Sequence, residues 1–219
     1  MTVMNPSSGD FDPLARSYRT LEYLVFGREL ERARHGLLSH LKNCQRILVL
    51  GDGDGRCLEK LVVMAPTASI DCIDCSAAML DQARLRVQPH AERINFQQAD
   101  ILRCDLPSRH YDAVVTCFVL DCFDAVQTES IVTRIATSLQ PGARWLWVDF
   151  AVPNHGFARW RAQIWLAALY AFFHWQTGLS SRALPPSEAL IEAAGFRLIN
   201  RKTRQWGLLC SCVYSSTEV

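Results

Sequence analysis

The sequence predicts an α/β protein built on a single doubly wound, mostly parallel sheet of seven strands. Three observations carry this prediction. Short apolar runs alternate with helical periods between residues 46 and 150, a triple-glycine loop joins the first run to its helix, and two later runs end in an acidic residue. Such alternation is typical of parallel strands that are joined by helical crossovers. The 219 residues are enough for one domain of this kind with a sizeable core.

We expect this domain to cover residues 44–219, with residues 1–43 forming an N-terminal helical arm or lid ahead of it. In the arm, Asp10 and Pro13 mark a helix start, and apolar residues then recur with a helical period. The alternation is broken once more at about 153–184, where a helix rich in aromatic residues is predicted after the fifth strand. The domain therefore carries one helical insertion.

Composition excludes several classes of protein. The chain has 23 Lys and Arg against 22 Asp and Glu, and this balance argues against a protein whose net charge draws it to nucleic acid or to a membrane surface. Residues 131–219 hold nine basic and four acidic side chains, which are either a solvated face or a place for a phosphate-bearing or acidic acceptor. The longest apolar run of the insertion, residues 164–173, is too short for a membrane span, which needs roughly 20 residues.

The nine cysteines are scattered through predicted strands, and the first ten residues lack the apolar core of a signal peptide. This pattern indicates reduced thiols in the cytoplasm rather than a disulfide framework. The Cys72/Cys75 and Cys210/Cys212 pairs have no second pair at zinc-finger spacing, and the histidines of the insertion have no carboxylate at ligand spacing. We predict no metal site.

The centre of the predicted site is the stretch 46–61, in which a buried strand turns through Gly51, Gly53 and Gly55 into a helix. Such a turn places unpaired backbone N–H groups and the positive end of a helix dipole at the carboxyl edge of the sheet. Dinucleotide-binding folds need their third glycine one position later, where this chain has Arg56. The loop is therefore either the binding site of a cofactor that has no pyrophosphate group, here called the cofactor seat, or only a tight turn.

Asp74 favours the cofactor seat. It ends the second predicted strand, 23 residues after Gly51. A carboxylate at the tip of the neighbouring parallel strand lies where it can accept hydrogen bonds from both hydroxyls of a ribose.

These features resemble the class I (Rossmann-like) S-adenosylmethionine (SAM)-dependent methyltransferases, with a pattern closest to the ubiquinone/menaquinone-biosynthesis type. The resemblance covers about residues 44–214 and rests on the glycine loop, Asp74, the segment Cys75-Ser-Ala-Ala-Met79-Leu, Asp100 and the Pro141-Gly142 turn. It implies an antiparallel last strand, SAM as cofactor, S-adenosylhomocysteine (SAH) as product and a small-molecule acceptor.

The resemblance also assigns roles to single residues. Asp100 would accept from the adenine amino group or else cap the next turn, and the backbone N–H of Ile101 would meet the ring. Tyr18, with Arg16, would close on the methionine end of SAM, and Met79 would touch the adenine or simply be buried. The cofactor-binding residues expected in this way are Tyr18, Gly51, Asp52, Gly53, Gly55, Asp74, Cys75, Met79, Asp100, Ile101, Cys117 and Phe118.

Two positions depart from the family pattern. Val49 stands where relatives often have an acidic residue, so that Asp52 or Asp54 must take over as the anchor of the loop. Asp121 stands where many relatives have a histidine; it either orients or deprotonates an acceptor, or caps the next helix. His155 is the second candidate base.

The aromatic helix over residues 157–175 allows several arrangements. It is buried, forms a homodimer, or lines a site for a flat or lipid-like acceptor with Trp160, Trp165, Tyr170, Phe173 and Trp175. We therefore expect a soluble, cytoplasmic SAM-dependent methyltransferase for a small aromatic or apolar acceptor, with no nucleic-acid partner and no membrane span. The alternatives are a SAM-binding protein without catalysis and a nicotinamide-dependent oxidoreductase, which Arg56 disfavours.

Overall fold

The computed structural model describes residues 27–153, 155–177 and 184–217. Its centre is one seven-stranded sheet with the strand order β3-β2-β1-β4-β5-β7-β6. Strands β1 to β5 pair in parallel, whereas β7 runs antiparallel to both β5 and β6. The predicted fold class, with its antiparallel last strand, is confirmed. The strands are β1 Arg46–Leu50, β2 Ser69–Asp74, β3 Ile94–Gln98, β4 Tyr111–Cys117, β5 Leu139–Phe150, β6 Phe196–Arg204 and β7 Leu209–Ser216.

Helices cover both faces of the sheet, as parallel connections require. The first strand shows why the sheet is central, because side chains alternate between the two faces of a strand. Ile47 and Val49 join one hydrophobic cluster, Leu48 and Leu50 join the other, and all four are at most 2% exposed. The helices are α1 Glu29–His35, α2 Arg56–Met64, α3 Ala77–Arg86, α4 Ala125–Ser138, α5 Gly156–Thr177 and α6 Ser187–Ala193.

Several predicted helix boundaries follow from local chemistry. Ser76 precedes α3, and its Oγ accepts from the backbone N–H of Met79 at 3.2 Å. Asp124 precedes α4 and forms a reciprocal capping box with Gln127. Asp124 therefore holds the start of α4, and this leaves Asp121 out of the capping role that the sequence allowed.

Helix α1, the described part of the arm, packs against the antiparallel end of the sheet. Ser211 on β7 donates to the backbone oxygen of Ala33, and Lys202 on β6 donates to that of Gly36. Arg204, at the end of β6, forms an ion pair with Glu29 at 3.4 Å. The predicted lid residues Arg16 and Tyr18 lie outside the described residues.

The structure differs from the prediction at two strand ends. The third strand ends at Gln98, so Asp100 and Ile101 lie in the loop that follows it. The fifth strand begins at Leu139, before the Pro-Gly turn, and its register against β4 shifts between Tyr111 and Ala113. Within the described ranges, no helix combines the length and the apolar character that crossing a bilayer requires.

Candidate functional site

The three glycines of the loop after β1 differ in the space around them: two are packed tightly against other residues, and one is open. All three glycines have positive φ, and a Cβ on Gly51 would lie 2.4 Å from Val119 Cγ2, while one on Gly55 would lie 2.8 Å from Ala83. A Cβ on Gly53 would meet only Met79 Sδ, at 3.8 Å, among the described atoms. Gly51 and Gly55 are therefore required by the protein's own packing. Gly53 is the open position of the loop, at the carboxyl edge of the sheet, where doubly wound folds have their ligand crevice.

Asp52 anchors the loop to the helix beneath it. Its two carboxylate oxygens accept from the backbone N–H groups of Cys57 at 3.1 Å and Leu58 at 2.8 Å, in the first turn of α2. Burial raises the pKa of Asp52 to about 7, while these two hydrogen bonds and the charge of Arg34 act in the opposite direction. The Asp52 side chain thus supplies the loop anchor that Val49 cannot, and it points to α2 rather than into the crevice.

The loop is also fixed from the side of α3. Asp54 accepts from Arg56 Nε at 2.9 Å and from Arg86 Nη2 at 2.8 Å, and Arg86 Nε donates to the backbone oxygen of Asp54 at 2.8 Å. Arg86 comes 32 residues after Asp54. Sequence reasoning missed it because its only local signal is a basic residue in the last turn of a helix.

Asp74 connects the tip of β2 to the open side of the glycine loop. Its Oδ2 accepts from the backbone N–H of Gly53 at 3.1 Å, and its Oδ1 accepts from the backbone N–H of Ser76 at 2.9 Å. The parallel pairing of Leu50 with Ile73 brings these segments together. Asp74 is partly exposed at the crevice. Cys75 follows it and is exposed, whereas Met79 is buried beneath the loop.

Asp100 lies at the same edge of the sheet, in the loop after β3. Its Oδ1 accepts from the backbone N–H of Leu102 at 2.9 Å, and its backbone oxygen accepts from Arg103 and Cys104. The carboxylate therefore caps a turn, which was one of the two roles that the sequence left open. Ile101 is partly buried against the hydrophobic cluster that contains Leu50.

The end of β4 brings an arginine of the arm into the site. Phe118 has a φ of +55° and its ring lies 5.3 Å from that of Phe150. The guanidinium of Arg34, on α1, lies 4.9 Å from the centre of the Phe118 ring, and Arg34 is only 6% exposed. Cys117 is buried, with its Sγ 3.8 Å from Cys57 Sγ, and so packs against α2.

Sequence reasoning missed Arg34. A basic residue directly after Ala33, inside the apolar period of the arm, was the available signal. A non-glycine residue with positive φ, such as Phe118, is typical of a functional site, since surrounding contacts must hold it there.

Asp121 belongs to a pair of carboxyl groups. Its backbone N–H donates to Asp149 Oδ2 at 3.3 Å, its side chain is hydrogen-bonded to that of Asp149, and Cys122 Sγ lies 3.7 Å from its Oδ1. Burial raises the pKa of Asp121 to about 6. Burial, together with the neighbouring Asp121 charge, raises the pKa of Asp149 well above its usual range. The two carboxyl groups therefore titrate as a coupled pair, and both pKa values lie above the usual range of an aspartate.

Asp149 was not predicted, although an acid next to the carboxyl end of an apolar strand was its signal. It is 1% exposed and also accepts from the backbone N–H of Phe150 at 2.9 Å. The other candidate base, His155, is exposed in the turn before α5. In the described residues, no cluster of His, Cys, Asp and Glu has the composition of a metal site.

Comparison with known proteins points to one class. Residues 47–142 match the family model described as a methyltransferase domain. A demethylmenaquinone methyltransferase of Thermus thermophilus is 30% identical over 148 residues, which cover 67% of this chain and 66% of the relative. The ubiquinone/menaquinone biosynthesis C-methyltransferase UbiE of Stutzerimonas stutzeri is 28% identical over 133 residues, which cover 59% and 48%. The chain thus spans about half to two thirds of the length of these relatives.

Solved structures agree on the fold. An O-methyltransferase family protein from Burkholderia thailandensis superposes with a TM-score of 0.73 at 14% identity, over 93% of this chain and 60% of that one. The N-methyltransferase NodS of Bradyrhizobium japonicum, in complex with SAH, superposes with a TM-score of 0.63 at 18% identity, over 86% and 88%.

The fold, the glycine loop and these matches define a class I, Rossmann-like methyltransferase. The chain belongs to the SAM-dependent methyltransferases of this class, and the predicted family and its cofactor, SAM, are confirmed. Within the class, the chain is similar to enzymes of ubiquinone and menaquinone biosynthesis.

Proposed function

We propose that this chain transfers a methyl group from SAM to a small acceptor in the crevice at the carboxyl edge of β1, β2 and β4. The observation that carries the proposal is the hydrogen bond of 3.1 Å from Gly53 N–H to Asp74. It joins the open position of the glycine loop to an acid on the neighbouring strand. A ligand that spans both must offer hydroxyl groups to the acid and a phosphate-free chain to the loop.

We propose the following roles for the cofactor-binding residues. Asp74 accepts from Gly53 and Ser76, and its carboxylate is also the proposed acceptor for the two ribose hydroxyls. Asp100, which caps a turn, and Ile101 are assigned to the adenine by the family resemblance. Gly53 leaves room for the methionine chain, which Tyr18 of the arm would cover.

The acceptor is expected to meet the methyl group at the end of β4. Bound SAM would supply an electrophilic methyl group to a lone pair of the acceptor, with SAH as the neutral leaving group. Holding donor and acceptor in line can remove roughly 7–11 kcal/mol of the barrier. Phe118 and Phe150 offer an apolar wall there, and Arg34 fixes the Phe118 ring.

Asp121 is the proposed base for an acceptor that must lose a proton, such as a phenol or an amine. Its pKa of about 6 lies below neutral pH, so that Asp121 is available as a base there. A base placed in this way adds on the order of 100- to 10,000-fold in rate. The exposed His155 is the alternative.

We also propose a cytoplasmic enzyme with a small, aromatic or apolar acceptor rather than nucleic acid. All nine cysteines are free thiols, which supports a reducing compartment. The near-neutral charge supports a small-molecule acceptor.

Calorimetry with SAM and SAH tests the proposal. Wild type is expected to bind both, and Asp74→Ala is expected to bind them at least roughly tenfold more weakly, because even one hydrogen bond to a charged group contributes about 1.5–3 kcal/mol. Asp81→Ala is the matched control, since that carboxylate is 71% exposed on α3 and pairs with Arg84. Absence of binding by wild type, or equal binding by Asp74→Ala, would refute the site assignment. SAH formation with a panel of phenols, amines and quinols then identifies the acceptor class.

A further inference from the structure

Five large apolar side chains form an exposed surface, here called the aromatic face, on the first turns of α5 and the β6–β7 turn. Their exposed fractions are 63% for Phe157, 58% for Trp160, 49% for Ile164, 41% for Trp165 and 69% for Trp206. The Phe157 ring lies 5.7 Å from that of Trp160 and 6.2 Å from that of Trp206. Single exposed apolar residues are ordinary, but a continuous aromatic group marks an interaction surface.

The fold holds Trp206 outward at a cost in backbone strain. Gln205 and Trp206 both have positive φ, at 51° and 58°. Arg161 donates to the backbone oxygen of Gln205 and lies 5.1 Å from the centre of the Trp206 ring. Positive φ at successive residues is the geometry of a tight hairpin turn, and this turn leaves the Trp206 side chain 69% exposed.

Helix α5 buries only a narrow stripe. Among its described side chains, Ala162 and Leu166 are buried, at 1% and 6% exposed. Phe157, Trp160 and Ile164 are spaced three and four residues apart, so they follow one side of the helix. The described first half of the helix, residues 156–167, therefore lies against the domain along one line and turns an aromatic side outward.

The segment that carries most of the aromatic face has charges of one sign. Residues 150–187 contain no Asp or Glu, although the chain has 22 of them, and Arg159 and Arg161 lie between the aromatic residues. Arg204, next to the β6–β7 turn, is paired with Glu29 of α1 at 3.4 Å. Tryptophan and phenylalanine side chains with interspersed arginines, and no acids, are typical of helices that lie in the headgroup region of a membrane.

We propose that the aromatic face docks on the surface of an anionic phospholipid bilayer. The aromatic side chains enter the headgroup region, and Arg159 contacts lipid phosphates. A second copy of the chain fits less well. A twofold contact would bring together two copies of a segment, residues 150–187, that carries arginines and no acid.

This orientation has a consequence for the candidate site. Phe150 at the end of β5 pairs with Leu209 at the start of β7, so the β6–β7 turn lies at the same edge of the sheet as the glycine loop. Docking therefore turns this edge toward the membrane. The inference does not depend on methyl transfer, because lipid binding can be measured without turnover.

Co-sedimentation of the full chain with lipid vesicles tests the proposal. We expect binding to vesicles of phosphatidylcholine mixed with phosphatidylglycerol, and weaker binding to phosphatidylcholine alone. A Trp160→Ala/Trp206→Ala variant is expected to bind the mixed vesicles at least about tenfold more weakly, because it loses apolar contact area. Arg159→Glu should bind more weakly, with a smaller dependence on salt.

Two matched controls are available. Leu85 is 75% exposed on α3, and Arg197 is exposed at the far end of β6. Leu85→Ala and Arg197→Glu should bind vesicles like wild type. Binding of SAH by every variant reports an intact fold, and if Trp206→Ala unfolds, Trp160→Ala alone carries the test.

Three results would overturn the proposal. One is no binding of wild type to mixed vesicles. Another is an equal loss of binding in the control variants. The third is a dimer in size-exclusion chromatography with light scattering that Trp160→Ala dissolves, which would assign the aromatic face to a second copy.

Discussion

Replacing Gly53 by alanine distinguishes an effect on cofactor binding from an effect on the stability of the fold. Gly53 has a φ of +63°, and Gly142, in the Pro-Gly turn of β5, has a φ of +75°. A Cβ on Gly142 would meet nothing within 4 Å, and one on Gly53 would meet only Met79 Sδ among the described atoms. The main cost of each alanine is therefore that of holding a residue with a Cβ at positive φ, which destabilises the folded state by about 1–2 kcal/mol. Both variants should lose stability by a similar amount.

Only Gly53→Ala should weaken cofactor binding. Its new methyl group occupies the crevice side of the loop, where the methionine chain of the cofactor is expected. We expect at least a tenfold loss of SAH affinity, or about 1.4 kcal/mol, while Gly142→Ala binds like wild type. Urea unfolding measures the stability of both variants, and calorimetry with SAH measures their affinity. If the two variants lose SAH affinity equally, or if neither does, the crevice beside Gly53 is not the cofactor seat.

Two further predictions concern buried carboxyl groups. Asp149→Ala removes the hydrogen bond that lowers the pKa of Asp121, so this pKa should rise above about 6, whereas Asp149→Asn keeps a neutral donor and should keep the wild-type pKa. The pKa is measured by ¹³C NMR titration of the carboxyl carbons. Equal titration curves for the two variants would contradict the pairing of Asp121 with Asp149. Asp52 has a pKa of about 7 in the folded protein and 3.8 in the unfolded chain, so the unfolded chain releases this proton first as the pH rises. The free energy of unfolding should therefore fall by about 4 kcal/mol between these two pH values. Asp52→Asn should abolish this part of the pH dependence in denaturant unfolding, and a parallel loss in both proteins would show that Asp52 is not its source.

The elements that could be predicted are those whose cause is local. Four successive apolar residues make β1 a buried strand, three alternate glycines make the turn, and Ser76 starts α3 by capping its own first turn. The position of Asp74 beside the glycine loop could be predicted for the same reason, because parallel neighbours in a doubly wound sheet end at the same edge. Each of these inferences needs only a short segment and one general rule of topology.

The contacts that were missed join residues far apart in the chain. Arg86 reaches Asp54 only because α3 packs beside the glycine loop, and Arg34 reaches Phe118 only because α1 folds back onto the sheet. Asp149 reaches Asp121 because β5 lies next to β4. No local pattern encodes these distances, which depend on how the crossovers pack.

The sequence by itself determined the α/β class, the number of strands, the glycine loop and the acid at the end of β2, since periodicity and turn chemistry act over a few residues. Only the tertiary structure decided what each acid does. Asp52 holds a helix, Asp74 holds the loop, and Asp121 pairs with Asp149. A carboxyl group takes its role from the donors, charges and burial around it, and for Asp121 the decisive neighbour, Asp149, is 28 residues away in the chain.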